Sequence, residues 1–482
     1  MDIESATQAR AGLLARWGSL IKALPGKFKS KVINILKNIK KIGKDDPRRV
    51  THSLKVGIAL TLVSLLYYWR LLYDGFGVAG MWAVLTVVVV FEFTVGGTLS
   101  RGLNRGFATL LAGALGVGGQ HLATLCGEIG EPIVLGALVF FLAAGSTFSR
   151  FFPKIKARYD YGVLIFILTF SLVTVSGYRV ERLLELAHQR LSTILIGGAT
   201  CIVISLCVCP VWAGEDLHKL IASNLEKLAN YLEGFGGEYF KCSEDKEVER
   251  KNESVLLGYK NVLNSKASEE SLANLARWEP GHGRFRLRHP WKQYLKIGQL
   301  ARQCAYKIEA LDSYLNTNIL VSLEFKAKVQ GSCTKICSES SQALKLLSSS
   351  IKTMTEPSDA KSHVENLKTA IKELNGALES ASLDDKNLLA IVPVSTVASI
   401  LIDITKSVEK IYESVYELSH LAHFKGVEEP TVSPEKPHLL HRGIINPVVD
   451  ADSVHHVEIT IQEANTDSPE KENAQAPNPA KE

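Results

Sequence analysis

The sequence predicts an all-α membrane protein: six transmembrane helices per subunit, then a cytosolic helical bundle and a disordered C-terminal tail. Three observations predict it. Long apolar segments recur through the first half, among them MWAVLTVVVVF and YGVLIFILTFSLVTV, which leave no polar face for solvent. Past Trp212 the apolar residues return every three or four positions instead, with almost no alternating strand pattern. From about residue 425 the chain becomes rich in Pro, Glu, Asn and Ser, a composition that builds no core.

In chain order, residues 1–49 form a basic cytosolic N-terminus. Within it Phe28, Val32, Ile35, Leu36 and Ile39 recur at helical spacing, with Lys31, Lys37, Lys40, Lys41 and Lys44 largely off that stripe. The pattern predicts an amphipathic helix lying on membrane lipids of an anionic inner leaflet, with a solvated basic arm as the alternative. Hydropathy then places six spans near 51–68, 78–93, 103–125, 132–148, 161–176 and 192–212, within a transmembrane domain of residues 50–212. Lys and Arg crowd the N-terminus and the loops after the second and fourth spans, so both termini face the cytosol. Arg179, Arg182 and Arg190 depart from that pattern on the outer side.

Residues 213–424 read as a helical domain. Leu217, Leu220, Ile221, Leu225, Leu228 and Leu232 form one apolar stripe, and further helices are expected near 291–314, 322–349, 360–380 and 394–422. Residues 425–482 form the tail, where 454–461 has brief strand character. The eight cysteines form no readable disulfide or metal framework. With no phosphate-cradling glycine loop, nucleophile elbow, metal triad or paired catalytic carboxylates, the chain is expected to be no enzyme and to hold no cofactor. No nucleic-acid partner is expected.

The chemistry lies in cations kept in or beside the apolar segments: Lys55, Arg101, Arg105 and Arg190. A charge there costs a few kcal/mol unless a pore or a partner solvates it. Arg101 and Arg105 stand four apart and share a helix face, while Arg190 opens the last span from the outer side. Glu92, near the end of the second span, needs a cation, and Lys55 or Arg101 is in position to supply it. Basic residues toward both ends of a conduit select anions, and a dianion gains about twice the attraction of chloride. Snorkelling anchorage at the inner leaflet is the bland reading of the same arginines.

One loop interrupts the second half, at residues 277–291, where two prolines and two glycines forbid a continuous helix. Its tryptophans and cations describe either a packed connector or a coupling loop beneath the pore, with Trp278 at its start and Glu279 ion-paired to a nearby arginine.

Several stretches together resemble the plant aluminium-activated malate transporters. They are residues 81–93 continued by 96–106, Arg150-Phe151-Phe152-Pro153, residues 156–162, residues 209–217 and Trp278-Glu279-Pro280, within a resemblance covering roughly residues 46–423. The resemblance implies a homodimeric channel for malate and other anions, multi-pass in the plasma membrane or, alternatively, the vacuolar membrane. It implies Lys55, Arg101, Arg105 and Arg190 as pore cations and Glu279 as a residue acting on activity from the cytosolic domain. It also implies acidic residues at the outer mouth that sense trivalent aluminium, at positions matching Asp74, Glu181 and Glu185, with Arg182 offsetting part of their charge. Two other readings stand beside it. One is a proton-coupled exporter of aromatic or organic acids using Glu92, Asp160, His52 and His188, and the other is a membrane-anchored scaffold.

Overall fold

The computed structural model describes residues 26–68, 80–177, 183–238, 258–315, 323–384 and 388–426. Every regular element among them is a helix. The first group comprises α1 (Gly26–Asp45), α2 (Pro47–Tyr68), α3 (Met81–Val90), α4 (Val95–Thr124), α5 (Gly127–Ser149), α6 (Pro153–Gly177) and α7 (Leu183–Cys207). The second comprises α8 (Ala213–Glu238), α9 (Gly258–Leu263), α10 (Lys266–Ala276), α11 (Trp291–Leu315), α12 (Leu323–Thr353), α13 (Ser358–Asp384) and α14 (Leu388–Leu421). Residues 427–482, including the expected strand at 454–461, lie outside the described residues.

Among the described residues three helices, α5, α6 and α7, are long and apolar enough to cross a membrane. The segments expected at 51–68 and 103–125 fall on α2 and α4, whose cations and glycines dilute their hydropathy. The segment expected at 78–93 is interrupted. Its helix, α3, has ten residues, about 15 Å of rise against a hydrocarbon core of about 30 Å. Phe91 leaves it in extended geometry, and Thr94 restarts the chain as a helix cap, its hydroxyl accepting the Gly97 N–H at 3.1 Å. The Thr98 hydroxyl lies 3.1 Å from the Glu92 N–H, which holds the break rigid.

Around α4 the first group closes: α6 and α7 pack along it, α3 lies on α7, and α2 covers both α3 and α7. Its core is Ala59, Val63, Ala83, Val87, Val90 and Cys201. In the second group α12 packs on α8, α13 and α14, and α11 packs on α14. The predicted stripe of α8 is its core face: Leu217, Ile221, Leu225, Leu228 and Leu232 are fully buried, with Leu220 at the edge. Each such leucine removed from water stabilises the fold by about 1.5–3 kcal/mol. Within that core Tyr294 presents its hydroxyl to two histidines, 2.9 Å from His218 Nδ1 and 3.3 Å from His289 Nε2. Burial pushes both imidazoles down to about 4, so they stay neutral at ordinary pH.

Helix α1 stands apart. It packs on α2 near their junction, and Ile35, Leu36, Ile39 and Ile42 are each about half exposed. At 100° per residue these four, with Phe28 and Val32, span an arc of about 120°, and the lysines of the helix occupy the rest.

Candidate functional site

Among the described residues, the interior of the first group holds cations with no carboxylate paired to them. Lys55 is 2% exposed and donates from Nζ to the Cys209 carbonyl at 2.8 Å. That carbonyl lies just past the end of α7, where the partial negative charge of a helix C-terminus favours an ammonium. Cys209 itself sits at φ +40, a left-handed conformation rare for a side-chain-bearing residue. Arg105 is 4% exposed; one guanidinium nitrogen donates to the Tyr161 hydroxyl at 3.2 Å, and Nε is buried with no hydrogen-bond partner. Arg190 is 8% exposed and lies over the Trp82 ring, 4.0 Å from its centroid. None of the three has a carboxylate partner among the described residues.

Arg101 differs. It pairs with Glu92 at 2.5 Å, donates to the Val89 carbonyl at 3.1 Å and lies 5.7 Å from the Tyr161 ring centroid. Tyr161 of α6 therefore touches both arginines of α4, as their shared face allows. Glu92 takes Arg101 as its partner rather than Lys55.

Arg190 lies near the start of the last apolar span, which runs from His188 to Cys207. Helix α7 begins at Leu183, so Arg190 lies seven residues, about 10 Å, inside it. There it comes within electrostatic reach of Arg105. These two cations are neighbours, not guards at opposite ends. A snorkelling arginine keeps its head group in water, and neither of these does so.

Below them, at the start of α4, the loop at 277–291 makes the second part of the site. Glu279 was expected to meet an arginine. Instead its buried carboxylate accepts the backbone N–H groups of Ala213 at 2.6 Å and Gly214 at 3.0 Å, the first two residues of α8. The Gly96 N–H at the start of α4 also points toward it. Two helix N-termini, each with partial positive charge, thus converge on one acid. Only glycine permits this approach: a Cβ on Gly96 would strike the Leu275 carbonyl, and one on Gly214 would strike the Trp291 ring. Burial raises the Glu279 carboxyl to about 7, opposed by those backbone hydrogen bonds.

Trp278 meets the Tyr159 ring edge-on at 6.4 Å, with Arg158 over its face at 5.1 Å. His282 stacks on Trp212 with ring centroids 3.7 Å apart. One loop therefore contacts the start of α4, α6 and α8. Of the acidic outer-mouth candidates, Asp74 and Glu181 lie outside the described residues, as does the side chain of Glu185. Among the acids a proton-coupled exporter would use, Asp160 is held by two Arg150 nitrogens, the nearer at 2.7 Å. Sequence reasoning missed Tyr161, Trp82 and the Ala213–Gly214 amides. The aromatics carry a usable signal, since a ring beside a buried guanidinium replaces lost hydration.

A family model described as aluminium activated malate transporter matches residues 40–385. The chain belongs to that family. It is a family of transporters and not of enzymes, so the chain is a membrane protein, in keeping with its apolar helices. Among its relatives are three from Arabidopsis thaliana. Aluminum-activated malate transporter 2 is 51% identical over 440 residues, covering 89% of this chain and 88% of the relative. Aluminum-activated malate transporter 7 is 51% identical over 436 residues, 84% and 86% of the two chains. Aluminum-activated malate transporter 1 is 49% identical over 442 residues, 91% and 90% of the two.

Proposed function

We propose that this protein is a malate-permeable anion channel of the plasma membrane, in which a dimer passes organic and some inorganic anions down their electrochemical gradient. The relatives named as malate transporters support the cargo. The observation that carries the mechanism is the burial of Lys55, Arg105 and Arg190 with no carboxylate partner among the described residues. Fixed net positive charge among apolar helices attracts anions and repels cations, and a dianion gains most. The Arg105 Nε, buried and unpartnered, is a donor that a passing carboxylate can occupy. Membrane potential contributes about 2.3 kcal/mol per charge per 100 mV, enough to drive efflux from a negative interior without coupling to another gradient.

In this reading α2 to α7 supply six spans per subunit, with both termini and the second helical group in the cytosol. The exposed apolar arc of α1 rests on the inner leaflet, its lysines against anionic head groups. Glu279 then couples the cytosolic bundle to α4, the helix that bears Arg101 and Arg105. The test is purified protein in liposomes with malate on one side and chloride on the other. A current whose reversal potential follows the anion gradients supports the channel; flux that requires a proton gradient and carries no current removes it.

A further inference from the structure

A cavity of about 580 Å³ opens beside the loop that joins α10 to α11. Its wall carries Arg158 from the start of α6, Arg277, Arg286 and Arg288 from the loop, and Lys292 from the first turn of α11. Arg277, Arg286, Arg288 and Lys292 are exposed and make no ion pair among the described residues. Elsewhere on the same bundle Lys335, Lys345, Lys352 and Lys368 each hold a glutamate. What sets Arg277, Arg286, Arg288 and Lys292 apart is that they gather with Arg158 around one concavity.

Glu279 is the one carboxylate in the wall, and its oxygens are already taken by the amides of Ala213 and Gly214. Five cations against one acid leave a net charge of +4 around the cavity. His282 belongs to the same wall, and its Nε2 is buried with no hydrogen-bond partner. The volume lies within the range of about 300–1,000 Å³ typical of small-molecule sites.

A malate dianion would compensate half of this charge. A phosphate monoester carries about −1.5 to −2 near neutral pH, so two of them match it. Guanidinium groups suit phosphate oxygens, binding them through paired N–H donors. We infer that this cavity binds an anion bearing at least two phosphate monoesters, free or as the head group of a membrane lipid. Both sources are sterically open: Arg158 begins a helix able to cross a membrane, and Leu287, 71% exposed between two arginines, suits a lipid surface.

The test uses the full chain in nanodiscs of zwitterionic lipid, titrated calorimetrically with inositol trisphosphate or with dioctanoyl phosphatidylinositol bisphosphate. Binding is read without any current, so its failure and failure of the channel reading are separate results. Saturable binding of both probes supports the shared chemistry. Binding of the dioctanoyl lipid alone assigns the lipid source, and binding of the trisphosphate alone assigns the free anion. In each case Arg286→Gln with Arg288→Gln should weaken binding at least about tenfold, the loss of one charge-assisted hydrogen bond or more. Lys372→Gln, remote from the cavity, should leave it unchanged. If the double variant lacks a melting transition, Lys292→Gln is read by the same standard. No binding of either probe, affinity that survives these substitutions, or displacement by malate at comparable concentration overturns the inference.

Discussion

The carboxylate of Glu279 holds the first two peptide N–H groups of α8, Ala213 at 2.6 Å and Gly214 at 3.0 Å. A helix start buried without such an acceptor is left with orphan donors, each costing about 1–3 kcal/mol. Glu279→Ala should therefore lower the melting temperature of the purified protein by several degrees, and Glu279→Gln by less, since one carbonyl oxygen survives. An alanine variant that melts with the wild type would show that the contact contributes nothing.

The same acid makes stability depend on pH. Burial raises its folded-state pKa to about 7, above the ordinary 4.5, and Asp216 adds to the rise. The fold thus favours the protonated form. That contribution is complete below 4.5 and is lost as pH rises through about 7. His218 and His289 act in the opposite sense: held down at about 4, they lose stability only as pH falls below 6.5. Between roughly pH 4.5 and 7 the wild type should lose melting temperature relative to Glu279→Gln, and the difference should level off above pH 7. Parallel slopes for the two proteins would exclude Glu279 as the titrating group.

Much of this was legible in the residues. The leucines of α8 are placed by period alone, because a helix must bury that stripe, and the spacing of Arg101 and Arg105 put both on one helix face, although nothing in it named Tyr161 as the ring they share. Hydropathy averages over windows longer than a four-residue break, so it ran through Phe91–Thr94. The Thr94 cap ahead of Gly96-Gly97 was the local signal it passed over. The partners of Glu279 had no comparable signal. Backbone amides more than sixty residues away have no residue type, and the nearby arginines offered a more obvious match.

Glu92 and Arg101 separate the two transport readings. Their pair is partly exposed, so it contributes about 0–1 kcal/mol to stability, and Glu92→Gln should leave protein abundance intact. Removing the acid adds one unit of net positive charge near the path. An anion channel should keep or increase its malate current, whereas an exporter that carries protons on Glu92 should stop. Loss of anion current at normal abundance would count against the channel.

Helix α1 can be judged as a peptide. A segment of residues 26–45 should be unordered in buffer and become helical on vesicles containing phosphatidylserine, each lysine adding about 1 kcal/mol of attraction. Ile35→Asp with Ile39→Asp places two charges on the apolar arc and should abolish the change. Equal helicity on purely zwitterionic vesicles would show that the lysines play no part.

Arg190 lies within electrostatic reach of Arg105, and that proximity decides what its reversal should do. With both positive, the two repel each other and jointly attract an anion; Arg190→Glu turns the repulsion into an ion pair and removes both charges from the path. The new pair should stabilise the local structure, so protein at the membrane should not fall. For a malate dianion the barrier rises by a few kcal/mol, and current should drop at least about tenfold. Arg190→Lys keeps the charge and should retain most of the current despite a weaker contact with Trp82. Patch-clamp current normalised to surface protein distinguishes these outcomes. A glutamate variant that conducts malate like the wild type would take Arg190, and its pairing with Arg105, out of the conduction path.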